Sequence, residues 1–193
     1  IYEKSDLHIL VIDDGSSSEC QKIFDKAKQF ATVIRHQVNQ GKGQALKTAF
    51  TYIQEQNIYG TVVTADADGQ HKVWDIFRTA NKASENPNKL ILGVRAFSGK
   101  VPLRSRFGNS LTKALFKLQT GVGVTDTQTG LRAFTTNLIP FMLKIEGQRY
   151  EYEMNMLLEA TKEYEILEVP IETVYINDNE ASHFRPIQDG LMI

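Results

Sequence analysis

Short apolar segments alternate with longer amphipathic ones along this chain, and the alternation restricts the folds available to it. Strand-like segments are predicted at residues 8–12, 32–35, 60–65 and 89–94. Apolar residues at helical spacing follow between residues 17 and 30, at 41–56 and at 73–84. Strands that alternate with helices of this length form a mostly parallel sheet with helices on both faces. We therefore predict an α/β fold of the Rossmann type.

The second half of the chain is less regular. Helical spacing recurs at residues 104–118 and 153–163, and strands are predicted at 131–134 and 165–175. Pro170 interrupts the last of these and favours an edge strand or a bulge. Without a repeat or a linker-like tract, residues 1–193 are predicted to form a single domain. Since the sequence opens with Ile1 rather than Met, we expect a fragment, truncated at the N-terminus and continuing beyond residue 193.

Composition excludes several classes of protein. The chain has 22 basic and 23 acidic residues and a net charge of −1, which argues against a general nucleic-acid binder. Its single cysteine, Cys20, cannot form an internal disulfide, so a reducing compartment such as the cytoplasm is expected. No apolar run is long enough to predict a membrane-spanning helix.

Two predicted strands end in acidic residues. Asp66 and Asp68 follow the strand at 60–65, and residues two apart on an extended backbone point the same way. Carboxylates so close repel each other unless a cation lies between them, and carboxylate oxygens suit Mg²⁺ or Mn²⁺. Gln70 and His71 can extend such a site. A solvated acidic turn is the alternative interpretation.

Asp13 and Asp14 end the first predicted strand. A carboxylate there can accept hydrogen bonds from ribose hydroxyls or a base N–H, although a turn that caps the next helix also explains the pair. Residues 39–45 (NQGKGQA) open a helix, where glycines, the helix N-terminus and Lys42 all favour an anion. The segment is not a P-loop, because the first Gly of that motif has no counterpart upstream of Gly41-Lys42, and Gly43 stands where the motif requires Ser or Thr.

In this order, DDGS, NQGKGQA and DADGQH resemble the family 2 glycosyltransferases, in particular the polyprenyl-phosphate sugar transferases that include dolichyl-phosphate mannosyltransferases. The series continues with GVR at Gly93–Arg95, DTQTGLRAF at Asp126–Phe134, YEYE at Tyr150–Glu153 and EVPIETVY at Glu168–Tyr175. The resemblance covers nearly the whole chain. It implies a GT-A fold, a nucleotide-sugar donor and Mg²⁺ or Mn²⁺, with the family's first strand missing before DDGS.

The resemblance also implies roles for individual residues. Asp14 is expected to contact the nucleobase, and Arg132 a phosphate of donor or acceptor. The metal ligands are then Asp66, Asp68 and Gln70; the donor-binding candidates are Asp13, Asp14, Lys42, Asp66, Arg132 and Arg185; the acceptor-binding candidates are Arg104, Arg106 and Ser182. Many relatives have Ser-Lys where this chain has Ser182-His183, so Arg185 is expected to supply the phosphate contact.

The predicted reaction is metal-dependent, inverting transfer of a sugar in glycan or cell-envelope biosynthesis, at the cytoplasmic face of a membrane. A polyprenyl-phosphate acceptor is already anionic, whereas a hydroxyl acceptor needs a base, for which Asp126 and Glu153 are the candidates. Loop capping explains Asp126 equally well, and a favourable helix start explains Glu153. A non-catalytic nucleotide-sugar binding module and a haloacid-dehalogenase-type phosphatase, suggested by DADGQ, are the alternatives.

The charges are segregated along the chain. Residues 86–125 hold seven basic residues and no acidic ones, whereas residues 146–180 hold ten acidic residues and two basic ones. The basic segment is predicted to meet an anionic lipid surface or an acceptor phosphate. The alternative is two solvated faces that pair with each other.

The sequence also predicts the surroundings of three aromatic side chains. We expect His8 to be structural within the first strand and Trp74 to pack on its helix, and His36 to lie at the surface.

Overall fold

The computed structural model of the chain describes residues 7–95 and 116–172. The strands are β1 (Leu10–Asp13), β2 (Thr32–Arg35), β3 (Thr61–Thr64), β4 (Lys89–Arg95), β5 (Arg132–Thr135) and β6 (Glu165–Ile171). The helices are α1 (Gln21–Ala27), α2 (Lys42–Glu55), α3 (Val73–Glu85), α4 (Ile139–Met142) and α5 (Glu151–Glu163). Residues 116–120 are also helical, and 3₁₀ turns cover Ser18–Cys20 and Thr136–Leu138.

The strands form two sheets. β1 and β2 pair in parallel, and a four-stranded sheet has the order β3-β5-β4-β6. In the larger sheet β4 and β6 are parallel, whereas β5 runs antiparallel to both β3 and β4. β3, β4 and β6 therefore point the same way, and the first residue of β5, Arg132, lies level with Thr64 at the end of β3. Within the described residues, the reversal of β5 and the division of the strands into two sheets depart from the predicted mostly parallel sheet.

Helices cover both faces of the larger sheet, as predicted. Along β4, Leu90, Leu92 and Val94 belong to the main apolar core, whereas Ile91 belongs to a second, smaller core. This period of two is typical of a strand buried on both sides. The smaller core includes Ala83 of α3, and the main core contains residues of α2, α4 and α5. The α/β class is thus confirmed. The additional strand expected before residue 1 stays a prediction.

The junction between α3 and β6 is fixed by buried polar groups. The carboxylate of Asp75, in the first turn of α3, is buried and accepts a hydrogen bond from the Glu172 backbone N–H at 3.1 Å. Arg78 donates to both Asp75 and the Pro170 carbonyl. Pro170 lies on β6, the edge strand of the described sheet, which is the position predicted for it.

Several predictions for single side chains are wrong. His8 is exposed, because β1 begins only at Leu10. Trp74 is 74% exposed on the outer side of the first turn of α3. His36 is 8% exposed, since its ring packs between Asp14 and Thr48.

The helix predicted at residues 104–118 lies largely outside the described residues. Within residues 7–95 and 116–172, no helix combines the length and apolarity needed to cross a membrane.

Candidate active site

The candidate site lies at one edge of the four-stranded sheet. β3, β4 and β6 all end at this edge, and the antiparallel β5 begins there. Residues from four chain segments consequently meet at a cleft of about 370 Å³, a volume that includes space open to solvent. The cleft is lined by Asp66, Asp68, Gln70, His71, Arg95, Gln128, Thr129, Gly130, Ile171 and Glu172. In open α/β sheets, ligands bind outside the carboxyl ends of the strands, and this cleft lies in that position.

The DADGQH segment after β3 supplies the acidic side of the cleft. Asp66 packs directly on the backbone at Gly130, where a β-carbon would come within 2.3 Å of the Asp66 Oδ2 atom. Asp68 is exposed, and one of its oxygens accepts the Gln70 backbone N–H at 3.0 Å. His71 lies behind them, with its Nε2 4.0 Å from Asp66 Oδ2. The two carboxylates thus face the same cleft.

Lys42, the first residue of α2, joins two carboxylates from distant parts of the chain. Its Nζ is 2.7 Å from Asp66 Oδ1 and 2.7 Å from Glu153 Oε2. Burial alone would lower the pKa of Lys42, but the charges of Glu153 and Asp66 outweigh it and hold the pKa above its ordinary value. Lys42 is therefore a fixed cation at neutral pH.

Arg132 is a buried cation that lies next to Glu153. Its guanidinium is 1% exposed and donates to the backbone carbonyls of Thr129 at 3.0 Å and Glu153 at 2.6 Å. Its Nε also lies 4.0 Å from the Glu153 carboxylate. The Arg132 Nη2 atom is buried and has no hydrogen-bond partner among the described residues. Burial lowers the pKa of Arg132, yet an arginine stays charged at neutral pH.

Arg95 and Asp126 form a two-pronged ion pair at the end of β4. Arg95 Nε is 2.6 Å from Asp126 Oδ2, and Nη2 is 3.0 Å from Oδ1. The Asp126 side chain is fully buried, and its Oδ1 also accepts the Gln128 backbone N–H at 3.2 Å. Asp126 therefore holds Arg95 in the wall of the cleft.

Asp14, directly after β1, contacts the turn before α2. Asp14 accepts backbone N–H groups from Gln40 at 2.9 Å and Gly41 at 2.8 Å, and His36 donates to it at 2.7 Å. Burial alone would raise the pKa of Asp14, but these hydrogen bonds outweigh it and lower the pKa. Asp13 is buried and accepts the Ser16 N–H at 2.9 Å. Asp14 thus fixes the turn that carries Lys42.

The structure brings most of the predicted residues to one edge. Asp66, Asp68 and Gln70 line the cleft. Lys42 contacts both Asp66 and Glu153, and Arg132 lies beside Glu153. Asp13 and Asp14 are not among the cleft-lining residues; Asp14 connects to the site through the turn before Lys42. Arg104, Arg106, Ser182 and Arg185 lie outside the described residues.

Sequence reasoning missed three parts of the cleft, which are Arg95, residues 128–130 and residues 171–172. Arg95 was not proposed for the site, although it ends a strand whose carboxyl end meets the acidic segment. Gly130 and Thr129 precede β5, whose reversed direction was not predicted. The signal that identifies Arg95 is its position at a strand end, the same signal that identified Asp66.

The donor atoms of this edge fit a hard divalent cation. In residues 7–95 and 116–172, no group of three or more His, Cys, Asp or Glu side chains is arranged as a ready-made metal centre. Mg²⁺ does not need one, since it commonly takes one or two protein carboxylates and completes its shell with water and substrate phosphates. The Asp66 and Asp68 carboxylates, which both line the cleft, provide that kind of partial shell.

Comparison with solved structures defines the class of fold. The chain matches glucosyl-3-phosphoglycerate synthase from Mycobacterium tuberculosis, crystallised with Mn²⁺, UDP and glucosyl-3-phosphoglycerate, with a TM-score of 0.67 at 17% identity. The match covers 96% of this chain and 63% of that one, so this chain spans less than two thirds of that structure. The fold is that of the GT-A glycosyltransferases.

Sequence comparisons give the family. UDP-N-acetylglucosamine–dolichyl-phosphate N-acetylglucosaminyltransferase of Methanococcus voltae is 30% identical over 189 residues, covering 87% of this chain and 75% of that protein. Polyprenol monophosphomannose synthase of Mycolicibacterium smegmatis is 24% identical over 176 residues, covering 86% and 66% respectively. The family profile described as Glycosyl transferase family 2 matches residues 2–142. The chain belongs to glycosyl transferase family 2 and is a glycosyltransferase.

Proposed function

We propose that this chain transfers a sugar, with inversion, from a nucleoside-diphosphate sugar to a polyprenyl phosphate, using a divalent cation. The observation that carries the proposal is the meeting of Asp66 and Asp68 with Lys42, Glu153 and Arg132 at one sheet edge. Carboxylates that hold a cation and fixed cationic side chains together suit a diphosphate leaving group. The relatives named for dolichyl and polyprenol substrates support the lipid-phosphate acceptor.

Asp66 and Asp68, with Gln70 beside them, would hold Mg²⁺ or Mn²⁺. When bound, the cation would stabilise the negative charge that develops on the departing nucleoside diphosphate. Lys42 lies next to Asp66 and Arg95 lines the same cleft, so both place positive charge beside the diphosphate. Hydrogen-bond donors held in place before the reaction stabilise a developing charge at little reorganisation cost.

The two candidate bases lie in different surroundings. Both oxygens of Asp126 accept hydrogen bonds from Arg95, and the carboxylate is fully buried. The Glu153 side chain is 13% exposed and contacts Lys42 beside Asp66. We assign Asp126 to positioning Arg95 and leave Glu153 as the base for a hydroxyl acceptor. A lipid phosphate attacks as an anion and needs neither carboxylate as a base.

Neither alternative function is favoured by an observation on this chain. The phosphatase alternative does not hold, because DADGQ follows β3 rather than the first strand and the chain is a glycosyltransferase. A non-catalytic binding module is set aside because the chain is a glycosyltransferase. The cytoplasmic membrane face and a role in glycan or cell-envelope synthesis are parts of the same proposal.

The test is a calorimetric titration of the purified protein with Mn²⁺ and UDP, followed by transfer assays. Nucleotide sugars of several kinds would be offered with undecaprenyl or dolichyl phosphate. We expect Asp68→Ala to abolish Mn²⁺-dependent UDP binding and sugar transfer while circular dichroism stays unchanged.

Asp25→Ala is the matched control, because Asp25 is an exposed aspartate on α1 whose hydrogen bonds among the described residues are with Gln21 and Lys28. It should bind and react as the wild type does. Undiminished Mn²⁺-dependent binding in Asp68→Ala would remove the metal assignment. Binding without transfer to any lipid phosphate would remove the acceptor assignment.

A further inference from the structure

Lys42 occupies an unusual place, because it contacts one of the proposed cation ligands as well as a candidate base. The same Nζ atom lies 2.7 Å from Asp66 Oδ1 and 2.7 Å from Glu153 Oε2, and the lysine side chain is 25% exposed. Such short contacts in a partly buried setting are charge-assisted hydrogen bonds.

The backbone around Lys42 is held on both sides. Gly41 donates its N–H to Asp14 at 2.8 Å, and Gln44 donates its N–H to the Gln148 carbonyl at 2.8 Å. Gly41 itself has φ of +101°, a conformation that side chains rarely adopt. The start of α2 is therefore anchored, and the ammonium reaches Asp66 and Glu153 from a fixed base.

A cation that binds Asp66 must share this carboxylate with Lys42. Oδ1 of Asp66 is taken by the ammonium, whereas Oδ2 faces Gly130 and His71. Any divalent ion there also feels the repulsion of the lysine charge. A nucleoside diphosphate changes this balance, since its phosphate oxygens give both cations additional anionic partners.

We propose that Lys42 is an internal counter-ion that weakens the binding of a free divalent cation and couples cation binding to the nucleoside diphosphate. The inference builds on the proposed function, which supplies the diphosphate as second ligand. Lys42 therefore increases the factor by which the nucleotide strengthens cation binding. Because coupling between two ligands is reciprocal, the cation strengthens nucleotide binding by the same factor.

The experiment measures Mn²⁺ binding to the purified protein by calorimetry or by electron paramagnetic resonance, first alone and then with saturating UDP. In Lys42→Met, Mn²⁺ alone should bind at least about fivefold more tightly, the effect of removing one unit of charge a few ångströms away even in water. The enhancement of Mn²⁺ binding by UDP should fall by at least the same factor.

Lys47→Met is the matched control. Lys47 lies on the same helix, and its Nζ is 5.1 Å from the centre of the Tyr152 ring. It should leave both the Mn²⁺ affinity and the UDP enhancement at wild-type values. Lys42→Gln serves as a second, polar variant in case the methionine variant folds poorly.

Unchanged or weaker binding of Mn²⁺ alone in folded Lys42→Met and Lys42→Gln would overturn the counter-ion role. An equal gain in Mn²⁺ affinity in Lys47→Met would also overturn the counter-ion role, because the effect would then come from the net charge of the protein. The measurement with Mn²⁺ alone involves neither sugar donor nor acceptor. Failure of the transfer assays therefore leaves it interpretable, and the two proposals can fail separately.

Discussion

The carboxylate of Asp14 connects three separate parts of the chain. It lies at the end of β1, accepts two backbone N–H groups from the turn before α2, and receives a third hydrogen bond from His36. His36 in turn lies 2.9 Å from the Thr48 hydroxyl on α2. The position of Lys42 thus depends on a residue that does not itself line the cleft.

Asp14→Asn should make stability less dependent on acid pH. The folded pKa of Asp14 lies below its ordinary value of 3.8, so its contribution is complete above that pH and is lost as the pH falls through the folded pKa. We expect the variant to lose about 1–3 kcal/mol at neutral pH. The gap to the wild type should narrow below about pH 4 in urea unfolding curves. A constant gap down to pH 2 would contradict this account.

Gly130→Ala should disturb the cleft without unfolding the protein. The new methyl group would meet the Asp66 carboxylate, the movable end of a side chain, and displace it. Mn²⁺-dependent UDP binding should weaken about 10–100-fold, as is usual when a group that orients a metal ligand is changed. Gly123→Ala is the control, since no heavy atom of the described residues, its chain neighbours aside, lies within 4 Å of its added β-carbon. Equal binding by the two variants would refute the placement of Asp66.

At the residue scale, the sequence indicated which side chains matter better than what they contact. Asp66 and Asp68 could be assigned from their position after a strand, because that rule is local. The partners of Asp126 and Lys42 could not, since Arg95 is 31 positions from Asp126 and Glu153 lies far from Lys42 along the chain. Such contacts depend on the folded arrangement of distant elements.

Among the elements, α3 and β6 are coupled at the cleft. Asp75 and Arg78 of α3 bind the backbone at Glu172 and Pro170, and Ile171 and Glu172 line the cleft opposite the acidic segment. One helix start therefore fixes one wall of the site.

Asp75→Ala should loosen this junction and destabilise the fold by about 1–3 kcal/mol, because it leaves a backbone N–H without its buried acceptor. Glu172→Gln at the same junction removes an exposed ion pair with Lys72 and should leave the stability nearly unchanged, because exposed ion pairs contribute little. Chemical denaturation of both variants measures the difference. If Glu172→Gln were as damaging as Asp75→Ala, surface charge rather than the buried carboxylate would hold the junction.

The elements themselves were largely predictable, whereas strand direction was not. α2, α3 and β4 lie within a few residues of their predicted bounds, since apolar periodicity identifies long amphipathic segments well. The same periodicity does not encode direction, so β5 gave no sign that it would insert antiparallel between β3 and β4. Trp74 was misplaced because an aromatic residue at helical spacing can also point outward.

Across the whole molecule, the segregated charges are partly paired. Lys89 of the basic segment bonds Glu165 of the acidic segment at 2.8 Å, and Arg95 is held by Asp126. The pairing interpretation therefore accounts for Lys89, whereas Asp126, the partner of Arg95, lies outside both segments. The other basic residues of the segment remain candidates for a lipid surface.

Substituting four of them, Arg104, Arg106, Lys113 and Lys117, with Gln should weaken binding to vesicles rich in anionic lipid by about 1 kcal/mol per residue. The loss should shrink at high salt, because screening weakens such attraction. The charge-matched control is a variant lacking Lys22 and Lys26 of α1, Lys28 at the C-cap of α1, and Lys82 of α3. Vesicle flotation measures both, and equal losses would assign the effect to net charge alone.

The Arg95–Asp126 ion pair ties together the two ends of a long stretch of chain. Arg95 and Asp126 are 31 positions apart, so forming the pair closes a long loop, and the entropic cost of that closure is part of what folding must overcome. Because this cost grows by only about 0.6 kcal/mol for each doubling of loop length, it depends weakly on how many residues the pair encloses. The position of Arg95 in the wall of the cleft is therefore less sensitive to the length of the enclosed chain than to the loss of either charged partner.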